Sequence, residues 1–273
     1  MAELSNRLFK RRKSSKKLGL GLGGGGAKGS VHLGALKAFE EEGITFDAVA
    51  GTSIGSIVGG LYARGLSARE IEAVVLGSGI NDVKTILMSR LSGSGVDGLI
   101  GIATGKMDFS DLKIPFAAVA VDLYSGEEAV FTEGDLVKCM GASSAIPPYF
   151  RAVEYNGRTY VDGAFRNIIP CDAARNLGAD VVVGIDLSGN RRSSENSKRA
   201  LDEMYPVNGI TVCDPSAAGY GACDVMIAPD LSAYTATSLG SLTEMFEIGY
   251  FAAKEKIPEI RAALSGRKRR VKI

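Results

Sequence analysis

The pentapeptide Gly51-Thr52-Ser53-Ile54-Gly55, a G-x-S-x-G pattern, constrains this chain more than any other stretch. Before it, Phe46-Asp47-Ala48-Val49-Ala50 is short and mostly apolar, the pattern of the end of a buried strand. After it, Ile54, Ile57, Val58, Leu61 and Tyr62 recur at the spacing of a helix that buries one face. The serine therefore stands where a strand turns sharply into a helix. Such a turn strains the serine's backbone, and glycine on either side lets strand and helix approach closely. The helix N-terminus also aims unpaired N–H groups and a positive dipole end at the hydroxyl. Ser53 is on these grounds a candidate nucleophile. A bare G-x-S-x-G arises easily by chance in a chain with 35 glycines, so the strand and helix around it carry the weight.

A nucleophilic serine needs a base, and the chain has one histidine, His32. It precedes the serine, whereas the α/β-hydrolase order is Ser, then Asp, then His. A lone histidine in an apolar helix reads as a packed residue. A carboxylate is left, and Asp162 stands out: Thr159-Tyr160-Val161 reads as a strand, and Asp162-Gly163-Ala164 puts the acid at its end on a turn of small residues. To act as a base it must lie within hydrogen-bond reach of Ser53 and be partly desolvated. Without the serine motif, the same aspartate would read as a turn cap. Asp122, Asp172 and Asp186 are competitors, and Asp186, at the end of a buried strand, is the strongest of them.

The third requirement is a group that holds a developing negative charge. Gly24-Gly25-Gly26-Ala27-Lys28-Gly29 lies between an expected strand at Leu18 to Leu22 and a helix N-terminus, where backbone N–H groups converge. Such a loop also suits a phosphate, and Gly19-x-Gly21-x-x-Gly24 formally fits G-x-G-x-x-G. No acidic residue closes a second strand about twenty residues on, so that match is weak. Lys28 is followed by Gly29, which excludes a Walker A loop. Lys28 either balances charge at the loop or faces water.

The rest of the chain alternates strand and helix signals. A helix with Val31, Gly34, Ala35, Ala38 and Phe39 on one face is expected to end at Gly43. Ser67-Ala68-Arg69-Glu70 is a capping box for a helix to about Gly77. Residues 80–110 lack clean periodicity and read as packed irregular structure, with a lid over the site as the alternative. Buried strands are expected over Phe116 to Leu123 and Asp180 to Leu187, and short strands at Glu128 to Phe131 and Asp224 to Ala228. Asn156-Gly157 marks a hairpin within Val153 to Val161. Helices are expected over Asp135 to Ala145, stopped by Pro147-Pro148, and over Pro170 to Leu177. A last helix, opened by a capping box at Ser241 to Glu244, runs to about Leu264 with a kink at Pro258. Residues 188–204 read as a polar surface loop. This order implies an α/β fold whose parallel sheet is covered on both faces.

Composition bounds the function classes. A hydrophobic fraction of 45% and a charged fraction of 23% are ordinary for one globular α/β domain in 273 residues. No apolar run is long enough to span a bilayer, and Leu18 to Leu22 is too short for a signal sequence, so a cytoplasmic protein is expected. Four cysteines, Cys139, Cys171, Cys213 and Cys223, lack C-x-x-C spacing and read as reduced thiols, with no zinc site and no other metal expected. Residues 1–17 carry seven Lys/Arg against one Glu, and residues 267–273 carry five Lys/Arg. With a net charge of +1 the body between them is strongly acidic. Two basic tails suit contact with an anionic membrane surface, and they suit equally well a plain role in solubility. No aromatic residues interleave the lysines, so no nucleic-acid partner is expected.

With these elements placed, the chain resembles the patatin-like phospholipases. Gly24 to Gly29 is similar to the family's glycine-rich oxyanion motif, Gly51 to Gly55 to its nucleophile elbow, and Asp162-Gly163-Ala164 to its D-G-[GA] motif. Ala142-Ser143-Ser144-Ala145-Ile146-Pro147 resembles the segment before that aspartate, and Asn167 to Pro170 the one after it. The similarity runs in order over about residues 18–187. It implies a three-layer α/β/α fold with a mostly parallel sheet, one catalytic domain over residues 18–264, and basic tails at 1–17 and 265–273. It further implies a serine lipid acyl hydrolase working through a Ser53–Asp162 dyad without cofactor or metal, acting on phospholipids or other acyl lipids. A soluble esterase or thioesterase for short acyl chains is the alternative among enzymes. An anion-binding module built on the glycine loop is the alternative outside them.

Overall fold

The computed structural model describes residues 16–77, 95–147, 149–188 and 217–266. Most of the amino-terminal basic tail, residues 267–273, nearly all of the polar loop, Pro148, Cys213 and residues 78–94 lie outside the described residues.

The first strand shows how composition builds the layers. β1 (Leu18–Leu22) reads Leu-Gly-Leu-Gly-Leu and is buried throughout. Its leucines point into the larger core, while its glycines face the other layer. A Cβ on Gly21 would lie 2.6 Å from Cys171 Sγ, and one on Gly19 2.6 Å from Ala179 Cβ. The leucines fill one layer and the glycines admit the other.

After β1, a single 3₁₀ turn at Gly26–Gly29 leads into α1 (Ser30–Glu41), which ends with Gly43 at a φ of 65°. β2 (Ala48–Thr52) and α2 (Ile54–Ala63) flank Ser53 as expected. In α3 (Ala68–Gly77) the capping box forms: Glu70 N–H donates to Ser67 Oγ at 3.3 Å and Ser67 N–H to Glu70 Oε2 at 2.9 Å. The stretch read as irregular contains a helix, α4 (Gly95–Thr104), with Leu99 and Ile100 buried and Ile102 outside. Gly95 and Gly105, both at positive φ, bound it, and its own three glycine positions blurred its periodicity.

β3 (Phe116–Asp122) is buried throughout. β4 (Glu128–Phe131), α5 (Leu136–Ser143), β5 (Val153–Tyr155), β6 (Arg158–Asp162), α6 (Cys171–Asn176), β7 (Val181–Ile185), α7 (Ala217–Ala222), β8 (Val225–Ile227) and α8 (Leu242–Leu264) follow. Asn156 and Gly157, at φ values of 50° and 73°, make the β5–β6 turn. Asp135 caps α5 by accepting from Lys138 N–H at 3.0 Å. The second expected capping box is not formed. Ser241 closes a 3₁₀ turn, is not extended, and makes no side-chain cap bond. α8 passes through Pro258 without ending.

The strands form one eight-stranded sheet in the order β5-β6-β3-β2-β1-β7-β8, with β4 also on β3. The pairs among β1, β2, β3, β7 and β8 are parallel. Those made by β4, β5 and β6 are antiparallel. Side-chain alternation divides the core: Val49, Phe116, Ala118, Val181 and Val183 pack toward α1, α2 and α8, while Ala50, Ala117, Val119 and Val182 pack toward α6. The fold is therefore α/β with helices on both faces of a mostly parallel sheet. No helix among the described residues is long and apolar enough to cross a membrane.

Candidate active site

Ser53 sits at the N-cap of α2 with φ 55° and ψ −128°. A non-glycine residue rarely adopts that conformation, and it stores strain that the surroundings must hold. The flanking glycines explain how they do so. A Cβ on Gly51 would collide with the carbonyl of Gly55, and one on Gly55 with the carbonyl of Leu22 at the end of β1. Strand and helix therefore close to backbone contact. Ser53 N–H donates to Ser143 Oγ at 2.9 Å, and that hydroxyl donates onward to the Val119 carbonyl at 2.6 Å. The Ser53 carbonyl accepts from Ser56 Oγ at 2.7 Å.

Register on β3 explains how Asp162 reaches it. β2 runs parallel to β3 and its last pair is Thr52 with Val119. β6 runs antiparallel to β3 and its last pair is Asp162 with Ala120. β4 overlaps both on β3, so it takes the opposite edge, and β2 and β6 share one edge and meet head to head. Residues 53 and 162 are thus brought together by two adjacent positions of a third strand.

The Ser53 side chain lies near enough to the Asp162 carboxyl to favour its ionised form as a hydrogen-bonding neighbour, and Asp162 Oδ1 accepts from Ala164 N–H at 2.9 Å. Asp162 is 1% exposed, and burial pushes its carboxyl up from 3.8 to about 7 against the pull of both neighbours. A Cβ on Gly163 would collide with the Val119 carbonyl, which explains the small residue after the acid.

The glycine loop lies against this pair. A Cβ on Gly24 would be 3.3 Å from Ser53 Cβ. Three of the loop's N–H groups are engaged: Gly24 donates to Ile168 O at 2.9 Å, Ala27 to Ala236 O at 2.8 Å and Lys28 to Gly25 O at 3.2 Å. The N–H groups of Gly25 and Gly26, at the start of the 3₁₀ turn, have no acceptor among the described residues. Gly26 has a φ of 57°, which orients this edge of the loop. Gly29 lies within the 3₁₀ turn itself, so the candidate charge-holding donors of the six-residue stretch are Gly25 and Gly26.

His32 is fully buried, and its Nε2 lies 2.8 Å from the Gly23 carbonyl, so Nε2 carries the proton. Burial lowers its pKa to about 4, leaving it neutral. Neither ring nitrogen bonds Ser53; Nδ1 has no partner among the described residues. It instead fixes the peptide that leads into the glycine loop. The competing aspartates are also occupied. Asp186 accepts from Ser188 N–H at 2.7 Å and Tyr220 O–H at 2.8 Å. Asp122 accepts from the N–H groups of Tyr124 and Ser125, and Asp172 from Asn167 Nδ2 at 2.8 Å.

Two supporting residues had no motif-independent signal in the sequence. Ser143, 90 positions from Ser53, holds its amide. Asn167 joins the halves: its carbonyl accepts from Thr52 Oγ1 at 2.7 Å and its N–H donates to Gly163 O at 2.9 Å. Only a resemblance over those segments could have marked them.

Comparison with known proteins gives a family match and a likeness of fold. A family model described as patatin-like phospholipase matches residues 20–175. Patatin-like phospholipase domain-containing protein 7 of Mus musculus is 34% identical over 189 residues, which is 65% of this chain and 14% of that protein. An NTE family protein of Mycobacterium bovis is 31% identical over 184 residues, 65% of this chain and 51% of its own length. This chain therefore spans a small part of the first relative and about half of the second. Among solved structures, human GIVD cytosolic phospholipase A2 superposes with a TM-score of 0.54 at 11% identity, over 97% of this chain and 62% of that one. VipD from Legionella pneumophila gives 0.52 at 13% identity, over 97% and 73%. At such identities the structural likeness is one of fold.

Proposed function

Because the chain belongs to the patatin-like phospholipase family, we propose that it is a serine acyl hydrolase that cleaves acyl ester bonds of phospholipids or related lipids through Ser53 and Asp162. The observation that carries this reading is a strained, half-buried serine set by the sheet register next to a buried aspartate whose carboxyl is raised to about 7. A base with that affinity accepts a proton near neutrality without a histidine.

In the proposed reaction Ser53 Oγ attacks the ester carbonyl carbon while its proton passes to Asp162. The C=O electron pair moves to oxygen, and the N–H groups of Gly25 and Gly26 receive that oxyanion. The intermediate collapses, the C–O bond to the alcohol breaks, and Asp162 returns the proton to the leaving alkoxide. Water then attacks the acyl-serine, with Asp162 taking one of its protons, and the second collapse releases the fatty acid and restores the Ser53 hydroxyl.

A fluorophosphonate probe is expected to label Ser53, as read by mass spectrometry of the digested protein. Ser53→Ala is expected to abolish both labelling and ester hydrolysis, and Asp162→Asn to cut kcat at least about a hundredfold with the fold retained. A folded protein that neither takes the probe nor cleaves any ester would favour an anion-binding loop instead.

A further inference from the structure

A cavity of about 380 Å³ lies among α1, α2, α3 and α8, against the glycine loop, and is partly open to solvent. Its apolar wall is Leu33, Ile54, Val58, Val75, Leu242 and Phe246. Leu33, Ile54, Val58 and Val75 are at most 5% exposed, so the apolar surface is inside the helical layer rather than on the outside of the molecule. Its lining includes Gly26, whose N–H has no acceptor among the described residues, and Ile54, the residue after Ser53. It therefore borders the place where the proposed hydrolysis leaves an acyl carbonyl.

The charged residues in its lining, among those described, are both acidic, Glu72 and Glu247. Among the described residues neither forms an ion pair that would neutralise it, and like charge disfavours an anion in this space. The volume is at the small end of ligand pockets, which suits one chain and not a whole two-chain lipid. We propose that this cavity seats the acyl chain of the scissile ester and sets the preferred chain length. The identity of the chain as a substrate rests on the hydrolase reading above; the affinity of the cavity for a neutral alkyl chain does not.

Two readouts keep these ideas apart. In the first, kcat/KM is measured with p-nitrophenyl acetate, octanoate, laurate and palmitate. Each methylene lost from a buried seat costs about fourfold in binding, so Val58→Phe, which shortens the space open to a chain, is expected to lower the laurate-to-acetate ratio by at least about tenfold. In the second, decanol, a neutral chain with no ester to cleave, is titrated calorimetrically. It is expected to bind the unaltered protein and to bind Val58→Phe at least about tenfold more weakly. A protein that cleaves no ester but binds decanol in this Val58-dependent way would sink the hydrolase reading and support the chain seat. A folded Val58→Phe protein with the unaltered ester ratio and unaltered decanol affinity would overturn the seat and leave the hydrolase reading standing. Should Val58→Phe fail to fold, Val58→Ala enlarges the same space. It is expected to raise the palmitate-to-laurate ratio, and an unchanged ratio would overturn the proposal.

Discussion

Burial gives Asp162 two opposite consequences, one for chemistry and one for stability. Its carboxyl is raised to about 7 because the folded protein desolvates it. In its proposed role as base Asp162 must be ionised, so kcat/KM for a soluble ester is expected to rise with pH through about 7 and to fall off on the acid side. The stability effect has the other sign. With the folded pKa above the unfolded value of 3.8, the native state binds the extra proton, and stability declines as pH rises from about 4 to about 7. The penalty is complete above 7, where it amounts to about 4 kcal/mol as an upper bound. Asp162→Asn removes it. That variant is expected to melt at a higher temperature than the unaltered protein at pH 8, with little difference at pH 4, and calorimetry at the two values tests it. A variant that melts lower at both would show that the carboxylate stabilises the fold, against this reading. His32 works in the reverse direction. Its pKa is lowered to about 4, so its contribution holds above 6.5 and is lost as pH falls through the interval between.

Among elements, close backbone packing governs what each contact tolerates. α1 and α8 cross at Gly34 and Gly249, where a Cβ on Gly34 would collide with the Phe246 carbonyl and one on Gly249 with the Val31 carbonyl. Backbone cannot swing aside as a side chain does. Gly34→Ala is therefore expected to cost about 3 kcal/mol or more in a urea titration. Gly240→Ala, at a site with nothing within 4 Å, is expected to stay within about 0.5 kcal/mol. Equal midpoints for the two variants would refute a backbone-limited crossing. This scale also shows what was legible beforehand. The Leu-Gly alternation of β1, the Ser67–Glu70 box and the Asn156-Gly157 turn were readable because each is decided by residues within one or two turns of chain. Ser241 was misread because a 3₁₀ turn, which has no sequence period, precedes α8 and rotates the serine out of capping geometry. α4 was missed because its glycines mask the apolar face that Leu99 and Ile100 bury.

For the whole molecule, the meeting of Ser53 with Asp162 is a property of the sheet and not of any segment. The strand ends at 52 and 162 could be read from the sequence, but not that β2 and β6 would abut along one edge of β3, because register between distant strands leaves no local mark. The two sides of that junction are unequally supported. β1, β2, β3 and β7 are buried at every position. By contrast, β4 alternates exposed and half-buried residues, β5 has three residues, and β6 is tied to β3 by three pairs. On one face the corner's apolar support is only the small group Val121, Leu123, Val161 and Phe165, separate from the main core, while on the other it reaches that core through Val153 and Tyr160. Segments with little buried apolar surface open at lower free energy than the rest of a domain. The corner that carries Asp162 is therefore expected to open first, and hydrolysis to be lost at lower urea than far-UV circular dichroism. The parallel centre would still hold Ser53 and its helix in that range, so the lost activity should return at once on dilution. Coincident activity and dichroism curves would mean that the corner and the centre unfold as one unit, and that the antiparallel strands draw more stability from the sheet than their own burial supplies.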